Sequence, residues 1–124
     1  MAGCNSELFR VDTLTINGES IAIEDSSAMI EGALGFETEV VAAASGDDAT
    51  TRKRVPRVIK AKLLFMGGVT PDKFAQICEA QIVLSNLHTG KRVRAGKCRI
   101  KSMGEIGNGS VDIEFNCLSP LQWL

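Results

Sequence analysis

The chain has 124 residues with 14 basic and 15 acidic side chains, a net charge of -1 and a hydrophobic fraction of 44%. This size and composition are typical of one globular domain and exclude a disordered or fibrous chain. We expect a single domain over residues 1–124, which begins with an N-terminal arm of about residues 1–9. No apolar run approaches the ~20 residues of a membrane span and no secretory signal stands at the N-terminus, so we expect a protein made and kept in a cytoplasm.

The first predicted element is a β-hairpin over residues 11–24. Leu14 and Ile16 alternate with threonines, Ile21 and Ile23 alternate again, and Asn17-Gly18 lies between the two runs. A two-residue type I′ turn needs positive φ at both central positions, and Asn-Gly is the pair that best tolerates this.

A long two-faced strand is predicted over residues 29–41, with a bend or bulge at Gly32 and Gly35. One side carries Glu31, Glu37 and Glu39, and the other carries Ile30, Leu34, Phe36 and Val40. The small and polar residues that follow predict an extended loop or flexible hairpin tip over about residues 42–55. Such a loop is long enough to reach beyond the domain.

A basic return strand is predicted in "VPRVIKAKLLF", residues 55–65. Its apolar face consists of Ile59, Ala61, Leu63 and Phe65. Lys60 and Lys62 lie on the other face, where they can oppose Glu31, Glu37 or Glu39 if the strand runs antiparallel to residues 29–41. The basic run from Arg52 to Lys62 is also typical of a nucleic-acid-binding surface. However, residues 1–50 have a net charge of -9 and residues 51–124 one of +8, which favours pairing inside the fold or between copies.

A short helix is predicted in "VTPDKFAQICEA", residues 69–80. Thr70 suits the N-cap and Pro71 the first helical position, while Phe74, Ile77 and Cys78 form an apolar stripe. We expect this helix to plug one end or flank of the β core.

Three further strands complete the chain. "QIVLSNL" turns through His88-Thr89-Gly90 into "KRVRAGKCRIK", with a bulge predicted at Gly96, and "SVDIEFNC" follows after a glycine-rich turn. The acidic face of the last strand, with Asp112 and Glu114, could pair with Lys97, Arg99 and Lys101. The apolar tail SPLQWL could cover a sheet edge.

The elements together predict a mainly-β fold, a β-sandwich or barrel of about six or seven antiparallel strands with one short α-helix.

Cys78, Cys98 and Cys117 fall on apolar faces, where free cysteines behave as small hydrophobes, and His88 is expected in solvent. Neither zinc-ligand spacing nor a combination of nucleophile, base and orienting group stands out. We therefore expect no metal, no cofactor and no enzymatic activity.

The ordered set of motifs resembles the Mu-type tail tube proteins of contractile-tailed bacteriophages. The resemblance runs from about Arg10 to Cys117 and rests on four motifs: the "LTINGESI" hairpin, the "GFETEVVAAASG" strand and loop, the basic return strand, and "VTPDKFAQI". It implies a tail-tube fold and a structural virion protein. In that family, subunits form hexameric rings that stack into a hollow inner tube through which phage DNA passes.

The resemblance also implies partners and sites. The expected partners are other copies of the chain, the contractile sheath, the baseplate and tail terminator proteins, and DNA that passes the lumen without specific binding. The location is the virion tail, assembled in the host bacterial cytoplasm. Inter-ring candidates in the loop are Asp47, Asp48, Arg52, Lys53 and Arg54, and lumen-facing candidates are Glu31, Glu37 and Glu39. Cys4, in the arm, is a candidate intersubunit thiol.

Two alternatives stay open. A tube protein of the type VI secretion kind shares the fold and the assembly that the resemblance implies. A small nucleic-acid-binding β-barrel would account for the basic run, but it needs aromatic platforms for base stacking. The chain has no Tyr, one Trp at its far C-terminus and five Phe, of which four fall on predicted apolar faces.

Overall fold

The computed structural model describes residues 8–64, 70–107 and 109–124, which form ten strands and one helix. The strands are β1 (Thr13–Ile16), β2 (Glu19–Ile21), β3 (Met29–Glu31), β4 (Phe36–Val41), β5 (Ala49–Arg54), β6 (Arg57–Leu64), β7 (Ala80–Ser85), β8 (Arg92–Met103), β9 (Ser110–Cys117) and β10 (Leu121–Trp123), and the helix is α1 (Pro71–Ala75). The predicted mainly-β class with a short helix is confirmed. The strand count exceeds six or seven because one predicted strand divides and two short segments add strands.

Eight strands form one antiparallel sheet in the order β2-β1-β7-β8-β9-β6-β3, with β10 also paired to β8. The chain after β2 then returns to β6 through an isolated bridge between Ile23 and Leu63. Two backbone hydrogen bonds flank this bridge, from Glu24 N to Lys62 O at 2.8 Å and from Leu64 N to Ala22 O at 3.0 Å. These contacts close the sheet on itself around a buried apolar core, as in a barrel.

The predicted hairpin of residues 11–24 is confirmed. Asn17 and Gly18 have φ of 51° and 83°, and Ile16 pairs directly with Glu19 across a two-residue turn. Asn17 also accepts a hydrogen bond through Oδ1 from the backbone N–H of Gln81 at 2.9 Å. Local turn chemistry therefore fixes both the hairpin register and its junction with β7.

The predicted single strand over residues 29–41 is wrong, because the chain divides into β3 and β4 in two different sheets. Gly32 and Gly35 lie at the break with φ of 68° and 78°, in the left-handed region that favours glycine. A Cβ at Gly32 would clash with the carbonyl oxygen of Pro56. The two glycines thus redirect the chain instead of bending a continuous strand.

Part of the predicted loop or flexible hairpin tip over residues 42–55 is a strand, β5, and residues 42–48 form the tip. β5 pairs with β4 in a separate two-stranded sheet, and Val41 pairs with Ala49 across a seven-residue tip, residues 42–48. The prediction failed here because Ala49–Arg54 has no apolar alternation, and its pairing with β4 supplies the strand's hydrogen bonds instead.

Strand β6 has the predicted faces. Ile59, Ala61 and Leu63 are buried, while Lys60 points outward and its Nζ lies 2.7 Å from Glu31 Oε2. The predicted opposition of Lys60 and Glu31 is therefore confirmed. Phe65, assigned to the same apolar face, lies outside the described residues.

Helix α1 begins as predicted, with Thr70 at the N-cap position and Pro71 at the first turn, although the Thr70 side chain makes no capping hydrogen bond. Phe74 is buried against Phe115, with ring centroids 6.4 Å apart. Cys78, predicted on the same apolar stripe, is exposed. The helix ends at Ala75, so the helical spacing that placed Cys78 beside Phe74 does not continue that far.

The predicted bulge at Gly96 is confirmed, since β8 advances three residues, from Ala95 to Cys98, while β7 advances two. The expected pairing of the β9 carboxylates with Lys97, Arg99 and Lys101 is wrong. In the described structure, Glu114 lies 3.8 Å from Lys60 and accepts a hydrogen bond from the Ser102 hydroxyl at 3.0 Å. A second register shift in β8, between Ile100 and Ser102, leaves Lys101 out of the ladder, while Arg99 lies opposite Asn116 and Ser102 lies opposite Glu114. Strand β10 pairs with β8, so the tail does cover an edge.

Candidate assembly surface

The most exposed element is the hairpin of β4, its tip and β5, residues 36–54, which we call the exposed hairpin. Every residue from 37 to 54 is exposed, and only Phe36 at its base is half-buried. None of its side chains belongs to the barrel core. An isolated two-stranded hairpin is marginally stable in water, and each outer edge presents unpaired backbone N–H and C=O groups.

Cross-strand register assigns the side chains of the exposed hairpin to two faces. Glu37 pairs with Lys53 and Glu39 with Thr51 on one face. Phe36 pairs with Arg54 and Thr38 with Arg52 on the other. The predicted inter-ring residues are thus divided, because Arg52 and Arg54 share a face and Lys53 lies on the opposite one.

The arginine face is organised by an aromatic ring. The guanidinium carbon of Arg52 lies 4.4 Å from the centre of the Phe36 ring, which is a cation–π arrangement. Within the described residues, neither the bases nor the glutamates of the exposed hairpin form an ion pair. These charges are therefore available to another molecule.

The tip of the exposed hairpin carries the predicted Asp47 and Asp48. The carboxylate of Asp48 accepts a hydrogen bond from the backbone N–H of Ala43 at 3.3 Å, and Gly46 supports the turn with φ of 93°. Asp48 therefore helps to hold the tip in shape, while Asp47 is exposed at the end of the hairpin.

The three glutamates predicted on one strand face lie in two places. Glu37 and Glu39 share a face of the exposed hairpin, whereas Glu31 belongs to β3 in the barrel sheet. The hydrogen bond from Lys60 lowers the pKa of Glu31 and raises the pKa of Lys60. Glu31 is therefore engaged within its own subunit, in contrast to the other two.

Apolar side chains on and beside the exposed hairpin face solvent, which the sequence analysis missed. Val40 is 70% exposed, Val41 52% and Leu34 73%. Alternation placed Leu34 and Val40 on the apolar face of one strand, but Leu34 lies in the turn before β4, and β4, which carries Val40, has no core to cover it. Exposed apolar groups rimmed by charge are typical of protein interaction sites.

A groove of about 710 Å³ lies between the base of the exposed hairpin and the barrel. Its lining includes Leu34, Arg52, Arg54, Arg57, Cys117 and Leu118. The groove thus carries arginines from both the hairpin and strand β6, together with apolar side chains.

The remaining sequence candidates are placed as follows. Cys98 and Cys117 are buried, as expected, and His88 is exposed. Cys4, the candidate intersubunit thiol, lies outside the described residues. Among the residues that the structure describes, no cluster of His, Cys, Asp and Glu is arranged to hold a metal ion. The helix in the described part of the chain, α1, is not long and apolar enough to cross a membrane.

The fold is similar to that of solved chains from contractile injection systems. A chain from the PVC sheath/tube terminator of an extracellular contractile injection system, in its extended state, matches with a TM-score of 0.68 and 11% identity, covering 100% of this chain and 99% of that one. A chain from the PVC sheath-tube complex in its extended state matches with a TM-score of 0.65 and 11% identity, covering 95% of this chain and 90% of that one. A chain from the anti-feeding prophage tube-terminating cap matches with a TM-score of 0.66 and 11% identity, covering 99% of this chain and 95% of that one.

These likenesses establish a common fold over nearly whole chains. They support the contractile-tail fold that the sequence resemblance implies, without singling out the Mu-type tail tube family. No protein-family model and no curated protein matches the sequence.

Proposed function

We propose that this protein is a structural subunit of the inner tube of a contractile tail. Copies form hexameric rings, and the rings stack around a lumen through which DNA passes without specific binding. The observation that carries the proposal is the end-to-end fold likeness to chains of contractile assemblies, which covers 100% of this chain and 99% of the terminator chain.

The exposed hairpin supports the proposal from within the molecule. Two open strand edges, an arginine face and solvent-facing valines need a partner, and a second copy of the chain supplies one wherever subunits repeat. Asp47 and Asp48 at the tip, with Arg52, Lys53 and Arg54 along β5, are the proposed contacts to the next ring. Glu37 and Glu39 on the hairpin, and Glu31 on the barrel, remain the proposed lumen-facing carboxylates.

The wider assembly follows from the same proposal. The tube subunit contacts the sheath along its outside, the baseplate at one end and a tail terminator at the other. It is assembled in the cytoplasm of a host bacterium and ends in the virion tail. Its role is mechanical and structural, so the proposal assigns it no reaction.

A terminator is the second candidate function. Two of the three solved chains described above come from structures of a sheath/tube terminator and of a tube-terminating cap. A terminator ends a tube, whereas a tube subunit adds ring upon ring. The two candidates therefore differ in whether assembly continues along the axis.

Negative-stain electron microscopy of the purified protein at high concentration, beside its mass in solution, tests both candidates. Hollow tubes of stacked rings are the result expected for a tube subunit. Discrete rings that never stack would favour the terminator. A monomer at every concentration, which also fails to bind preformed tubes, would contradict both.

A further inference from the structure

Cys98 on β8 and Cys117 on β9 lie directly opposite each other in neighbouring antiparallel strands. Their sulfur atoms are 3.8 Å apart, and the Cys98 thiol donates a weak hydrogen bond to the sulfur of Cys117. Cys98 is 0% exposed and Cys117 6%. The two thiols are thus an isolated pair at the edge of the core.

The backbone geometry brings these side chains close together. Leu118 donates its N–H to the carbonyl oxygen of Lys97 at 2.7 Å, so Lys97 and Leu118 occupy a hydrogen-bonded position of the ladder. The adjacent pair, Cys98 and Cys117, therefore occupies a non-hydrogen-bonded position, where Cα atoms are about 4.5 Å apart. This separation lies at the short end of the range of about 4.4–6.8 Å that a disulfide spans.

The two thiols differ in their surroundings. Cys117 borders the groove at the base of the exposed hairpin, which also contains Arg57, whereas Cys98 is enclosed by the core. The hydrogen bond from Cys98 and the positive charge of Arg57 lower the pKa of Cys117, although burial opposes them. The hydrogen bond to Cys117 and burial raise the pKa of Cys98. A thiol beside a basic groove, with a second thiol behind it, is the arrangement of an oxidation site with a resolving cysteine.

We propose that Cys117 and Cys98 form an intrachain oxidation site for hydrogen peroxide, in which Cys117 reacts first and Cys98 resolves the product. The Cys117 sulfur attacks one peroxide oxygen, an S–O bond forms, the O–O bond breaks and the first water leaves. The Cys98 sulfur then attacks the sulfenic sulfur, an S–S bond forms, the S–O bond breaks and the second water leaves. Two thiols are oxidised, one peroxide is reduced, and both thiol protons end in the two waters.

The resulting disulfide crosslinks β8 to β9 within one subunit. It tethers the residues next to the groove and leaves the exposed hairpin untouched. The site does not depend on the proposed function, because it needs one folded copy only.

The test is peroxide treatment of the folded full-length chain, in which Cys4→Ser and Cys78→Ser remove the other two thiols. The treated protein is unfolded, its remaining thiols are alkylated, and it is digested without reduction for mass spectrometry. The expected result is loss of both free thiols and a peptide containing Cys98 linked to one containing Cys117. Unlinked thiols after treatment that fully oxidises Cys78 in the wild-type chain would overturn the proposal.

Single variants test the order of the two steps. In Cys98→Ala, Cys117 is expected to stop at the sulfenic acid and to be trapped by dimedone. In Cys117→Ala, Cys98 is expected to remain unlabelled in the folded protein. The opposite labelling pattern would refute the assignment of roles. Circular dichroism checks that each variant folds, and if one does not, the linked peptide in the parent chain still decides whether the site exists.

Discussion

At the scale of single residues, Asp12 joins two distant parts of the chain. Its carboxylate accepts a hydrogen bond from the backbone N–H of Leu87 at 2.9 Å and pairs with Arg10 Nε at 3.0 Å. The bond from Leu87 lowers the pKa of Asp12 below its ordinary value of 3.8, and Arg10 adds to the effect. No local sequence pattern predicts this contact, because Leu87 follows Asp12 by 75 residues.

Replacing Asp12 with Asn is expected to lower the free energy of unfolding at pH 7. A carboxyl whose pKa is depressed by folding stabilises the native state above its ordinary pKa, and this contribution is lost as the pH falls through the folded value. The difference between wild type and Asp12→Asn should therefore be largest near neutrality and shrink below about pH 4. Urea unfolding over this pH range measures it.

The exposed Glu79→Gln serves as the matched control, since Glu79 takes part in none of the described ion pairs. A stability gap for Asp12→Asn that stays constant down to pH 3 would contradict the role assigned to its charge.

At the scale of elements, the short helix and the exposed hairpin have opposite relations to the core. Helix α1 has five residues and depends on packing, because a helix this short is unstable alone. Its one buried residue is Phe74. The exposed hairpin contributes nothing to the core and presents its charges to solvent. Substitutions should therefore affect stability in α1 and assembly in the hairpin.

Phe74→Ala is expected to destabilise the protein by about 3–5 kcal/mol, the usual cost of removing a buried phenylalanine. The change also removes the aromatic contact with Phe115. Thermal and urea unfolding measure the loss, with Asp72→Ala as the control on the same helix, since Asp72 is exposed and takes part in none of the described ion pairs. A loss below about 1 kcal/mol would show that α1 does not complete the core.

Reversing Arg52, Lys53 and Arg54 to Glu is expected to abolish stacking of rings while the monomer stays folded. The three side chains are exposed, so the free energy of unfolding should change by about 1 kcal/mol or less, including the lost cation–π contact. Electron microscopy measures assembly, and circular dichroism measures folding.

The matched control exchanges the charges of one cross-strand pair, Glu37→Lys with Lys53→Glu. It keeps the net charge and leaves the arginine face intact, so it should disturb stacking less than the triple reversal. Intact tubes from the triple variant would rule out the inter-ring role of these bases.

At the scale of the whole molecule, ion pairs on the folded surface join the acidic first half of the sequence to the basic second half. Glu31 contacts Lys60, Glu24 lies 3.8 Å from Lys62, and Glu19 contacts Lys73. Each pair joins an acid from the first 50 residues with a base from the remainder. The net asymmetry along the sequence is therefore reduced on the folded surface, which weakens the case for a polyanion binder.

Binding to double-stranded DNA is consequently expected to be weak, indifferent to base sequence and lost at moderate salt. Lys60 and Lys62 of β6 are already opposed by carboxylates, so these two bases are not free to neutralise phosphates. A gel-shift assay over a salt series measures this, with an oligolysine peptide as the positive control. Tight binding with a steep salt dependence would favour the nucleic-acid-binding alternative.

Patterns within a few residues of one another were enough to predict several elements. The Asn17-Gly18 turn, the alternating faces of β6 and β9, the start of α1 at Thr70-Pro71 and the bulge at Gly96 were all predicted correctly from sequence. Each depends on the backbone preference of one or two residues, or on a period of two along one strand.

Only the tertiary structure decided which strands lie side by side. It divided residues 29–41 between two sheets, left the exposed hairpin without a covering layer, exposed Cys78 and placed Cys98 opposite Cys117. The lumen and inter-ring roles of the candidate residues stay predictions. Alternating apolar and polar residues indicate that a strand has two different faces. Whether a face is buried depends on a neighbouring strand or helix that is distant in sequence. For that reason the sequence by itself determined elements such as the Asn17-Gly18 hairpin and β9, whereas packing determined the strands of residues 29–54 and which surfaces stay exposed.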